Sequence, residues 1–151
     1  MLLFFKIFSL IFLIWILIFF LFRFLRERIK KKSLEKLKRY YNLEDLLLYS
    51  LEANFFGQKS YGFRQIRGNG ALALLHDKIH FFLLLPDREI IIPISKIISV
   101  NLKKSFLGKT VFKPLLHVEF LNENGDRDEV AWLLKNPDLW RVEIDNLRKN
   151  V

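Results

Sequence analysis

Residues 68–85 read Gly-Asn-Gly-Ala-Leu-Ala-Leu-Leu-His-Asp-Lys-Ile-His-Phe-Phe-Leu-Leu-Leu. Asn69-Gly70 is a pair favoured in tight turns. Two short apolar runs lie beyond it, residues 71–76 and 79–85, parted by Asp77-Lys78. In the second run Ile79, Phe81, Leu83 and Leu85 share one face, and His80, Phe82 and Leu84 take the other, because side chains alternate along an extended chain. The stretch predicts a β-hairpin, and short, turn-bounded runs of this kind make the C-terminal two thirds of the chain a mainly-β domain.

Downstream the same grammar repeats. Pro86-Asp87-Arg88 is a turn into residues 89–92, and Pro93 permits only an edge or a strand end. Residues 94–102 carry Ile98, Val100 and Leu102 at period two, and Leu116, Val118 and Phe120 alternate with His117 and Glu119. Residues 122–126 (Asn-Glu-Asn-Gly-Asp) form a hairpin loop, after which Val130, Trp132 and Leu134 line one face. The period then changes. Asn136 is placed as an N-cap, Pro137 suits the first helical position, and Leu139, Trp140, Val142, Ile144 and Leu147 supply a helical stripe. Trp132 and Trp140 are expected as core partners. Upstream, Gly57 and Gly62 punctuate a first strand beginning near Leu51, with residues 53–57 in it. The expectation is six or seven antiparallel strands in a partly open barrel or sandwich, capped by a C-terminal helix over residues 51–151.

These strands, the Gly-turn-Gly before the hairpin, the Ile92-Pro93-Ile94 step into residues 97–100, and a closing helix with a central Trp resemble the pleckstrin-homology-like superfold. The GRAM-type and bacterial membrane-anchored members are the nearest in pattern. Residues 70–81 are similar to the GRAM-type G-x-L-x-L-T-x-x-x-L-x-F hairpin, with Leu75-His76 departing from the usual Thr. The resemblance covers about residues 52–148 and rests on hydrophobic spacing. It implies a binding module for lipid headgroups or proteins and no enzymatic activity.

The amino-terminal end is of another kind. From residue 7 to residue 22 only Ser9 is polar, and eight of the 16 phenylalanines lie in the first 24 residues. Residues 1–25 are long enough to cross a hydrocarbon core of about 30 Å if Lys6 and Arg23 snorkel outward. No small-residue cleavage site ends the run, which closes Phe22-Arg23-Phe24-Leu25-Arg26. Arg23, Arg26, Arg28, Lys30, Lys31 and Lys32 flank its carboxyl side against Lys6 and the chain amine on the other. The positive-inside rule therefore places the N-terminus outside and the C-terminal domain in the cytoplasm. Residues 26–50 are expected as a basic juxtamembrane helical stalk, with Asn42 capping a short further helix at residues 46–51. The basic cluster either serves topology alone or also meets anionic headgroups.

Charge obeys the same division. Of 25 Lys+Arg and 16 Asp+Glu, residues 1–39 hold ten basic and two acidic, and residues 40–151 hold fifteen basic and fourteen acidic. A domain that neutralises phosphates carries a basic face of its own, so nucleic acid is not an expected partner. The absence of cysteine excludes disulfides, thiol chemistry and Cys-ligated metals. Gly108-Lys109-Thr110 lacks the first glycine of a phosphate-binding loop, since Lys103 stands at that position. His76 and His80 are about 13 Å apart if on one strand and read as surface or cross-strand histidines. No calcium loop or nucleophile elbow is present, and no catalytic residue, metal or cofactor is assigned.

One local feature is a candidate binding site: the strand-connecting segment 103–113, with Lys103, Lys104, Phe106, Lys109 and Lys113. Four lysines, two hydroxyls and a glycine suit an anionic headgroup, with Phe106 and Leu107 dipping into a membrane. The alternative is a solvated edge with Phe106 in the core. The expected function is a membrane-tethered, non-enzymatic module that docks a protein partner, or that recognises anionic lipid through this segment and the juxtamembrane basic residues; the third alternative is an enzyme whose cryptic site is assembled at long range.

Overall fold

The computed structural model describes residues 1–150. One uninterrupted helix, α1 (Leu2–Tyr40), spans 39 residues, or about 58 Å at 1.5 Å per residue. Its Phe4–Tyr40 portion is long and apolar enough to cross a membrane. The large apolar side chains from Phe4 to Leu25 are exposed, so this half of the helix belongs to no protein core. Lys38 and Arg39 stand in its last turn, where the helix dipole favours cations. Tyr41 leaves in extended conformation.

A three-residue 3-10 turn at Leu43–Asp45 redirects the chain into β1 (Leu48–Gln58). Of the short helix expected at residues 46–51, Leu48 onward is strand instead, and β1 starts three residues ahead of the expected boundary. Its first residues pair with β2 (Gly68–Leu74) as Leu48 with Leu74 and Tyr49 with Ala73. A run of three leucines has no period of its own, so tertiary pairing decides. The sheet continues through β3 (Lys78–Leu83), β4 (Arg88–Pro93), β5 (Ile97–Phe106), β6 (Lys109–Leu121) and β7 (Arg127–Leu133). All seven strands are antiparallel, in the order β4-β3-β2-β1-β7-β6-β5.

That order explains the curl. The two edge strands, β4 and β5, are consecutive in the chain and joined only by the 3-10 turn Ile94–Lys96. A flat seven-stranded sheet would set its edges nearly 30 Å apart at about 4.8 Å per strand. Three residues do not span that, so the sheet rolls into a half-barrel. Register shifts in β1, between Ser50 and Ala53 and between Phe55 and Gly57, bend it further. Gly57 adopts φ +128°, and a Cβ there would fall 2.2 Å from Gln65 Oε1, so only glycine fits.

The inner face holds the main core. Phe55, Leu72, Phe81, Ile92, Leu116, Val118 and Trp132 meet Trp140 and Ile144 of α2 (Pro137–Lys149). Both tryptophans are in this core, Trp132 with its ring 6.1 and 5.9 Å from those of Phe55 and Phe81. Helix α2 lies on β5, β6 and the Ile94–Lys96 turn, covering the corner where the edges approach. Asn136 does precede it, but in left-handed conformation (φ 51°) and without a side-chain cap.

Two smaller clusters cover the outer face. Leu37 of α1 packs on Ala71, Ala73 and Phe82, bordered by Tyr41 and Leu43. Phe56, Phe106, Leu115 and Ala131 form the other. The first cluster ties the apolar helix to the domain: residues 26–40 are a docked element rather than a free stalk.

Candidate functional site

The lysine segment is not a loop. β5 runs to Phe106 and β6 restarts at Lys109, so residues 103–113 form a tight hairpin turning on Leu107 and Gly108, both at positive φ. Phe106 is only 5% exposed and packs against His117 at 5.5 Å and into the Phe56 cluster. It does not dip into a membrane. The exposed aromatic of this hairpin is Phe112, which the sequence pattern of lysines and glycine did not single out.

Nor do the four lysines converge. Lys103 Nζ lies 3.4 Å from Glu129 and 3.0 Å from His117 Nε2. Lys109 sits over the Phe56 ring, 5.0 Å from its centroid. Lys104 and Lys113 point to solvent, without an acidic partner among the described residues. Half of the expected cationic site is thus engaged within the domain.

Glu129 is the hub on this outer face. It accepts from Lys59 at 2.6 Å and from His117 Nε2 at 2.8 Å. The Lys59 hydrogen bond, with His117 and the nearby lysine charges, holds its carboxyl down at about 2. Burial pushes His117 below its ordinary value despite Glu129. It is neutral, donates from Nε2, and leaves Nδ1 as a buried lone pair.

A second buried histidine joins helix to sheet. The Tyr41 hydroxyl donates to His80 Nδ1 at 2.7 Å, His80 Nε2 donates to Glu89 at 3.1 Å, and the Tyr40 hydroxyl also donates to Glu89. Burial lowers the His80 pKa, and the Tyr40 hydrogen bond lowers that of Glu89. A neutral imidazole has one donor and one acceptor, and here both are satisfied. Of the pair expected at the surface or across strands, His76 is exposed and His80 is a buried cross-strand residue; His117 is buried as well. Among the described residues no group of three or more His, Asp or Glu is placed to hold a metal.

The cations that follow the apolar run divide into two sets. Arg26 pairs with Glu52, Lys30 reaches Glu27 at 3.0 Å and Glu52 at 3.9 Å, and Lys36 pairs with Asp87. Arg23, Arg28, Lys31 and Lys32 are exposed and make no ion pair among the described residues; Arg28 rests near the Phe24 ring at 5.3 Å. Glu52 is the side chain the sequence offered no means to find: its carboxylate, held low chiefly by Arg26, clamps the helix to β1 at the first turn beyond the apolar run.

A cleft of about 530 Å³ opens between β4 and the β6–β7 hairpin. Glu89, Ile90, Ile91 and Pro93 line one side, Phe120 to Asn124 the other, and Gln58 to Tyr61 close it. β4 is an edge strand, and Ile91 is 52% exposed. Asp128 at the cleft wall is already satisfied by Gln58 Nε2 and the Ser60 amide, at 2.6 and 2.9 Å. The cleft lies beside the β4 edge and mixes apolar side chains (Ile90, Ile91, Pro93, Phe120, Leu121) with polar ones (Gln58, Glu89, Lys96, Asn122, Asn124). In comparison with known proteins, the chain matches no protein-family model and no curated sequence.

Proposed function

We propose that the chain is a single-pass membrane protein, N-terminus outside, whose cytoplasmic pleckstrin-homology-like domain is a non-enzymatic module that docks a protein partner. The seven antiparallel strands and the closing helix are compatible with this fold assignment. The flanking cations support the orientation. The observation that carries the docking function is the free edge of β4 beside the cleft. An extended partner segment adds backbone hydrogen bonds there and places alternate side chains over Ile91 and into the cleft.

The test is a photo-crosslinking residue at position 91 of the full chain in membranes, with a matched residue at Val142 on the exposed side of α2. A discrete protein adduct at 91 and not at 142 supports docking. Equal adducts at both positions, or none at 91, reject it.

The lipid reading of residues 103–113 retains Lys104 and Lys113 as free cations, but with Phe106 buried and Lys103 and Lys109 engaged it is the weaker of the two. Salt-sensitive binding to anionic vesicles, abolished by changing the four lysines to Glu, would reinstate it.

A further inference from the structure

At the point where α1 leaves its apolar stretch, the domain and the helix enclose a second cleft of about 440 Å³. Leu25, Arg28, Ile29 and Lys32 form its helical wall, and Leu84 and Leu85 form the opposite one, with the backbone of Gly68 and Asn69 at its floor. Positions 25, 28, 29 and 32 fall on one helix face, at i, i+3, i+4 and i+7. Leu85 is 79% exposed, although it extends a strand whose other apolar residues are buried.

We propose that this notch binds one anionic phospholipid of the leaflet beside the domain, its phosphate between Arg28 and Lys32 and an acyl chain along Leu25, Ile29 and Leu85. The inference rests on α1 spanning the membrane. Depth fits first. The polar layer on each side of a hydrocarbon core is about 5–7 Å thick. Counting from Leu25, Arg28 lies about 4.5 Å further along the axis and Lys32 about 10 Å. Helical side chains lean toward the N-terminus, which here is toward the bilayer, so both cations reach back to phosphate level.

Charge fits next. The neighbouring cations facing the sheet are consumed by Glu52, Glu27 and Asp87, whereas Arg28 and Lys32 meet no carboxylate among the described residues. The apolar wall explains the exposure of Leu85, which in a membrane would be covered by lipid. The 59–67 segment, carrying the fully exposed Phe63, also leaves β1 and enters β2 at this end of the sheet.

The experiment uses the full chain, extracted in mild detergent from membranes containing phosphatidylglycerol and phosphatidylethanolamine, and native mass spectrometry. One retained phosphatidylglycerol per chain is expected. Arg28→Gln with Lys32→Gln lowers the retained fraction at least tenfold, about fivefold being assigned to each cation near a lipid surface. Lys31→Gln with Lys38→Gln removes equal charge from exposed positions outside the notch and leaves retention within twofold. Leu85→Ser lowers retention several-fold without a charge change. Equal loss in both charge pairs shows only a general basic belt and overturns the site, as does retention unaffected by Arg28 and Lys32. Resistance of the wild-type chain to alkaline extraction is scored separately: if that fails the membrane span itself is wrong, and if it holds while the lipid result fails only the notch is wrong.

Discussion

Leu37→Ala tests whether anchor and domain are one cooperative unit. Leu37 is fully buried, although it belongs to a helix whose first half has no protein contact. Its neighbours are Ala71 and Ala73 on β2 and Phe82 on β3. Two of these are alanines on a hydrogen-bonded strand, unable to move into the space a truncated side chain leaves. Leu-to-Ala changes cost about 2–5 kcal/mol, with the larger values where the site fails to collapse; about 3 kcal/mol is expected here. A domain of this size shifts its melting temperature by roughly 4 °C or more per kcal/mol, so the loss is at least about 10 °C. The assay is near-ultraviolet circular dichroism of the full chain in detergent, which reports Trp132 and Trp140 in the core. Leu21→Ala, on the exposed apolar half, is the control and moves the melt by less than about 2 °C. A Leu37→Ala melt within about 3 °C of wild type would show that the helix merely touches the sheet, and the single-unit description would fail.

Three further outcomes rest on the packing. Gly70→Ala places a Cβ 2.0 Å from the Phe82 carbonyl oxygen, a backbone atom across the β2–β3 ladder; the strands must part, and no cooperative melt is expected, so a folded, monomeric Gly70→Ala protein contradicts the register. Trp132→Ala costs about 3–5 kcal/mol, while Trp132→Phe costs much less, because the indole N–H is buried with no hydrogen-bond partner to lose; paired urea titrations giving equal losses refute this. Stability falls with acid. His80 and His117 have folded pKa values below their unfolded values, so the unfolded chain takes up protons first and stability drops as pH falls below about 6.5. Glu129, lowered from 4.5 to about 2, adds a second loss below about pH 4.5. A melting temperature constant from pH 7 to pH 5 rejects the buried neutral histidines.

The strands were legible because their periods are clean. Ile79, Phe81 and Leu83 point inward and His80 and Phe82 outward, as alternation requires. The closing helix was legible from Pro137 and the Trp140–Ile144–Leu147 stripe for the same reason. What escaped depends on contacts between distant segments. Residues 46–48 are three leucines with no period, and it is the pairing of residues 48–50 with 72–74 that draws the chain into β1. The stalk reads as a solvated amphipathic helix until Leu37 meets two alanines and Lys36 meets Asp87, partners about 35 and 51 residues away. In residues 103–113 the cations were visible, but the segment's conformation was not: a bulge between Lys103 and Ser105 and a turn at Leu107-Gly108 bury the aromatic expected at a membrane. The notch was invisible for a related reason, since Leu85 looked like the end of an inward-facing row and Arg28 and Lys32 like two members of a uniform belt.

Direct docking changes what α1 would do energetically as a membrane anchor. A domain on a flexible linker gains effective concentration near its ligands, in the millimolar range for a short linker, and still spends orientational freedom on each encounter. Here the clamp begins at Arg26, one residue past the apolar run, and continues through Lys36, Leu37 and Tyr40 to the His80–Glu89 pair. Little chain is left to act as a linker. With α1 spanning a bilayer as proposed, the end of the sheet nearest the apolar run would be fixed, which would set Leu85 and the Arg28–Lys32 face at headgroup depth. The β4 edge is held in a fixed attitude to α1 by the same clamp, because Tyr40 and His80 both bind Glu89, a β4 residue on the cleft wall. Lipid in the notch and a partner on β4 would then read the same rigid body, and weakening the helix seam should loosen both together, whereas a change confined to Ile91 should spare the notch.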